Sequence, residues 1–278
     1  LALVETFRVR TVVLREEFIR EFVALWPGAV ALAEPAVRQV WLELLVALEQ
    51  RWRGVFATVA LEHYRAMAEA DIEAVPTSVL AGTAVAPPLV VGELVGAMSV
   101  LVFGVLDRRG RREALLERPG DGAALDGRAV RLRRIEGRLL TQAAEGAARL
   151  AVNGGREAVE QVVRQDRHAL GWMRVTDGDP CAFCAMLASR GAVYKSAESA
   201  GFELDPVRGE INRYHDNCGC QVVPVFTRTP VLPETTQRAE QLWRDSQRAA
   251  RAAGELERGT SNDALNALRR HMAGAGGE

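Results

Sequence analysis

The chain has 278 residues, 48% of them hydrophobic and 26% charged, with a formal net charge of −1. That length supplies a real core, as one large domain or two modest ones. The near-zero net charge excludes a global pull toward nucleic acid or anionic membrane.

Alanine, arginine and glutamate abound while only 6% of residues are aromatic, a balance that leans helical. No basic-headed apolar segment with a small-residue cleavage site opens the chain, which predicts a protein that is not secreted. Over residues 3–26, Phe7, Leu14, Phe18, Phe22 and Leu25 recur at helical spacing against Arg8, Arg15, Glu16, Glu17 and Arg20, and Pro27-Gly28 stops the pattern. Glu34-Pro35 opens a second helix running to about Ala74. Its stripe of Val37, Trp41, Leu44, Leu48, Trp52, Val55, Val59, His63 and Tyr64 reads as a bundle core, with His63 a core histidine and not a catalyst.

The uncharged stretch 75–88 reads as a linker or extended arm lying against a partner subunit. Leu89–Leu106 reaches the length of a membrane span. Its three glycines, Glu93 and the Asp107-Arg108-Arg109 that follows predict a buried bundle helix instead. The arginines of 107–136 are interleaved with Glu113, Glu117, Asp121, Asp126 and Glu136, which favours a solvated connector over a DNA contact. Arg138–Val152 is helical, Asn153-Gly154-Gly155 is read as an interruption, and Arg156–Leu170 resumes the helix.

Gly171–Val175 reads as a short strand, and Thr176–Pro180 as a turn without the rest of a calcium loop. All four cysteines then fall between Cys181 and Cys220, spaced C-x2-C, 30 residues, H-x2-C-x-C. Two short soft-ligand clusters separated by a loop suit one tetrahedral zinc. The candidate ligands are Cys181, Cys184, His215, Cys218 and Cys220, five for four positions, with Cys181 and Cys184 the firmest. C-x2-C is also a redox spacing, but no βαβ pattern surrounds it. Pro180-Cys181-x-x-Cys184 is half of a zinc deaminase signature, yet His168-Ala169-Leu170 puts leucine where that chemistry needs a glutamate. Ser189 and His168 form no recognised hydrolase motif. Val193-Tyr194 and Val222–Phe226 are expected to pair as strands beside the metal. A charged helix over about Glu234–Glu257 and a short one over Ser261–Met272 make a C-terminal arm too polar to stand alone, which should dock on something else.

The segment Leu170-Gly171-Trp172-Met173-Arg174-Val175, the cysteine pairs and the Gln221–Phe226 strand together resemble the Mu protein F-like (MuF-like) head morphogenesis family of tailed bacteriophages, in its actinobacteriophage form. The resemblance is specific over about residues 165–226; Gly219 stands where many members carry an arginine. It implies a minor capsid protein of the virion, assembled in the host cytoplasm. Its partners would be the portal or the major capsid protein, with packaged DNA as a further contact and no membrane. The expected architecture is α+β: a helical region over 1–170, a zinc-stapled β-containing module over 171–226 and a helical arm over 227–278. Zinc is expected to be structural and the chain not to be an enzyme. The rival is a zinc-dependent hydrolase or nucleic-acid-modifying enzyme, which needs an open coordination position.

Overall fold

The computed structural model describes residues 1–29, 31–71, 91–106, 124–191, 214, 218–256 and 261–275. It is mostly helical with one two-stranded antiparallel sheet. Helix α1 (Ala2–Leu25) buries Val4, Phe7, Thr11, Phe18 and Phe22 on one face. It ends where Trp26 turns extended and Gly28 adopts φ +96°, a left-handed conformation glycine tolerates. Helix α2 (Pro35–Asp71) opens on Pro35 in its first turn, as expected. Its stripe is buried as predicted at Trp41, Leu48, Trp52, Val59, His63 and Tyr64. Val37 and Val55 are only partly buried, and Leu44 is half exposed while Leu45 takes the core position.

The 89–106 run forms helix α3 (Val91–Met98), continued by a π-helical turn over Ser99–Phe103. Leu94, Met98, Val102 and Phe103 are buried against the chain's own helices, so this run is a bundle helix. Among the described residues no helix is long and apolar enough to cross a membrane. Most of the α2 stripe and of this run is therefore covered by the chain's own helices. The stretch 75–88 lies outside the described residues.

Helix α4 (Ala124–Gln165) is continuous over 42 residues, which corrects two expectations. Residues 124–136 are helical and not a connector, and Asn153-Gly154-Gly155 does not interrupt anything. These glycines sit where α4 crosses α2 at close range. A Cβ on Gly154 would stand 2.6 Å from the Arg53 carbonyl oxygen, and one on Gly155 2.8 Å from that of Phe56. Low helix propensity there is the cost of backbone approach. Ala143, Ala144, Ala147, Ala148 and Ala151 extend the same low-relief face against α2. Arg53, itself buried, donates to the Leu150 carbonyl at 2.8 Å and to Glu157 at 2.5 Å across the crossing.

Strand β1 (Gly171–Val175) pairs antiparallel with β2 (Gln221–Val225), Trp172 opposite Pro224 and Arg174 opposite Val222. The expected partner of β2, Val193-Tyr194, lies outside the described residues. Cross-strand partners share a face. Met173, Val175, Val223 and Val225 therefore look one way, onto Val4 of α1. Trp172 and Val222 look the other way, into a core with Phe7, Tyr64, Val159, Val162 and Phe226. Both faces are covered, which explains why every strand residue is buried. Helix α5 (Ala182–Ala188) follows the first cysteine. Helices α6 (Glu234–Ala252) and α7 (Ser261–Ala275) form the C-terminal arm, α6 ending five residues before the expected Glu257. The arm docks on α5, where Ala185 and Ala188 meet Ala239 and Leu268.

Candidate metal centre

Cys184, Cys218 and Cys220 come together because α5 and the start of β2 are pressed into the same core. Their Sγ atoms all lie within 4.8 Å of one another, the Cys184–Cys218 pair at 3.5 Å. They are 2%, 4% and 1% exposed, so the cluster is shut off from water. Cys181 is exposed and lies one turn earlier as the N-cap of α5, where its Sγ accepts from the Cys184 amide at 3.4 Å. Of the five candidates, the structure thus brings three together and sets a fourth beside Cys184; His215 lies outside the described residues. No disulfide joins any of the four cysteines.

Hydrogen bonding from Cys184 and Cys220, helped by the charge of Arg156, holds the Cys218 thiol far below its ordinary range. Cys184 is pushed up by its contacts with Cys181, Cys218 and Cys220 and by burial. Four zinc-bound thiolates at Zn–S near 2.3 Å stand about 3.8 Å apart, close to the spacing seen here. Soft sulfur donors select zinc over hard cations. The residues present therefore fit a zinc ion.

Two arginines and a tyrosine wall the cluster. Arg156 of α4 and Arg174 of β1 are 2% and 0% exposed, and their guanidinium carbons lie 3.8 and 4.1 Å from the centre of the Tyr214 ring. Burial works against the charge of Arg174, but Tyr214 and the sulfurs of Cys220, Cys218 and Cys184 outweigh it and raise its pKa. Burial also pushes the Tyr214 phenol up. Asp177, on the turn before Cys181, fills the space where a Cβ on Gly219 would stand. This is the physical content of glycine at that position. Arg8 of α1 holds the same turn by donating to the Asp177 carbonyl at 2.9 Å.

Sequence reasoning missed Arg156, Arg174 and Tyr214. The available signal was Arg174 itself, a charge in the middle of an otherwise apolar strand. The other titratable candidates have local duties. His63 stacks on Phe7 with ring centres 4.3 Å apart, and burial lowers its pKa to about 4. His168 pairs through Nδ1 with Asp166 at 3.1 Å, and Asp166 accepts from the Tyr64 hydroxyl at 2.6 Å, closing the end of α4. Ser189 donates to the Met186 carbonyl.

The described residues define a mostly helical protein with a small two-stranded sheet and a buried cluster of three cysteines beside it. The profile of the VG15 protein family matches residues 2–246, and the chain belongs to that family. It is 33% identical over 147 residues to the Gene 15 protein of Mycobacterium phage D29, covering 42% of this chain and 54% of that one. It is 34% identical over 137 residues to the Gene 15 protein of Mycobacterium phage L5, covering 37% and 47%. The chain thus spans about half the length of these relatives. The family is one of phage proteins. No solved structure matches the chain.

Proposed function

We propose that this protein is a structural minor head component of a tailed phage, of the Mu protein F-like kind, whose sheet module is held by one structural zinc. Membership in a phage family supports the setting, and the motif resemblance over residues 165–226 supports the finer role. Its partners are then the portal or major capsid protein, with packaged DNA nearby. The observation that carries a structural rather than a catalytic zinc is the burial of the Cys184, Cys218 and Cys220 sulfurs inside the core shared by α1, α2, α4 and the sheet. Catalytic zinc keeps a coordination position open to substrate, whereas this cluster is walled by Tyr214 and two arginines.

Two measurements test this reading. Elemental analysis of protein purified under reducing conditions is expected to give about one zinc per chain; a content near zero overturns the metal assignment. Cryo-electron microscopy of intact particles is expected to place the chain at the portal vertex or along the inner capsid wall. A chain absent from particles that runs as a compact monomer on a sizing column overturns the structural role and restores the zinc-enzyme reading.

A further inference from the structure

The Cys218-Gly219-Cys220 knuckle is held by contacts from outside its own three residues. Gly219 has no Cβ and the widest backbone freedom of any residue, yet the two flanking thiols must point at Cys184 together. Gln221 donates to the Gly219 carbonyl at 3.2 Å and Asp177 packs on Gly219, but one side chain reaches the carbonyls of both cysteines. Arg156, fully enclosed on α4, donates from Nη2 to the Cys218 carbonyl at 2.6 Å and to the Cys220 carbonyl at 2.7 Å. Its Nε donates to the Cys220 carbonyl at 3.0 Å, and Nη1 is anchored on Asn153 Oδ1 at 2.8 Å, one turn earlier on the helix. The guanidinium plane also lies over Tyr214, so its orientation is fixed by contacts in its plane and across its face.

We infer that Arg156 is the positioning residue of the metal centre, gripping the carbonyls on both sides of Gly219 so that Cys218 and Cys220 present their sulfurs to one ion. The inference rests on the zinc reading above and adds to it a mechanical role. The ion does not merely close a local loop; through Arg156 it fastens the sheet module to the long helix α4. A lysine would substitute only in part, because its ammonium could reach the carbonyls but lacks the second and third nitrogens that Arg156 fixes on Cys220 and on Asn153.

The test uses the full chain and Zn2+, with affinity read by competition against a chromogenic chelator. Arg156→Met is expected to lower Zn2+ affinity by about ten- to a hundredfold, the usual cost of losing a residue that orients metal ligands. Arg156→Lys should fall between it and the natural chain. Arg164→Met, on the same helix with a 53% exposed side chain, should bind as the natural chain does. Natural affinity in Arg156→Met, or in Arg156→Lys, overturns the inference. Should the methionine variant lose its helical circular dichroism, Arg156→Lys and Asn153→Ala carry the same reading, both expected to be weakened several-fold.

Failure of the zinc reading itself is distinguishable, since the natural chain would then take up no Zn2+. In that case alkylation of Cys218 and Cys220 by iodoacetamide reports the grip directly. Several-fold faster modification in Arg156→Met supports the positioning role, and an unchanged rate refutes it.

Discussion

The helical body and the sheet module hold together by opposite means. The body relies on smoothness: alanines and two glycines let α4 lie against α2 at near backbone contact, and large aromatics fill the remaining volume, as where Trp41 meets Trp26, Phe22 and Phe103 edge to face. The module has two five-residue strands, and an isolated two-stranded ribbon is marginal in water. It is kept in place by apolar cover on both faces and, at its cysteine end, by bulky polar and sulfur groups at a few points. Many small contacts tolerate the loss of one, whereas a few strong ones do not.

The largest break in that comparison should come from Cys184→Ser. Metal content should fall to near zero, and amide hydrogen exchange should accelerate across 171–175 and 221–225 while α2 and α4 stay protected. Uniform acceleration in both regions would show that the module is no separate unit of stability. The converse experiment is Gly154→Val, which drives a side chain into the Arg53 carbonyl. It is expected to cost about 3–4 kcal/mol in denaturant unfolding, with zinc stoichiometry retained in the folded fraction.

A third probe sits at the seam. His63 of α2 is held neutral by burial, its pKa lowered to about 4 from 6.5. A folded pKa below the unfolded one means the unfolded chain takes up the proton first. Stability is therefore full above pH 6.5 and is lost as pH falls toward 4, by roughly 3 kcal/mol. His63→Phe should flatten that slope, and an unchanged acid profile would refute the assignment. The smallest effect belongs to Glu49, buried in α2, whose pKa is raised by desolvation against the opposing pull of Arg53 and Arg149. Here the folded state binds the proton more tightly, so stability declines as pH rises above the ordinary carboxylate range. Glu49→Gln should gain on the order of 1 kcal/mol at pH 7 and remove that decline, as read by melting across pH.

The long helices were legible because burial on one face imposes a period the sequence cannot hide. The phase slipped by one residue at Leu44, where adjacent leucines offer two readings and only packing chooses Leu45. Gly154-Gly155 misled because the same residue marks a helix break and a close crossing, and the difference lies in α2, a hundred residues away. The cysteine convergence was legible from spacing. The pairing of β1 with β2 and the roles of Arg156 and Arg174 were not. Charged residues read locally as solvent-facing, and only the assembled core shows them enclosed.

The placement of α1 has a consequence for how the chain is made. Val4 packs on Val223 and Val225, and Phe7 shares a core with Trp172 and Cys220. At about 5–20 residues per second, the ribosome needs on the order of 10–40 s to pass from Val4 to Val225. Throughout that interval the Val4 end of α1 lacks its cover from the sheet, while Phe18 and Phe22 can already pack on Trp52 and Trp41 of α2. The first turn of α1, made early in the chain, is thus among the last parts to be sealed, and it is exposed to misassociation until the second cysteine pair emerges.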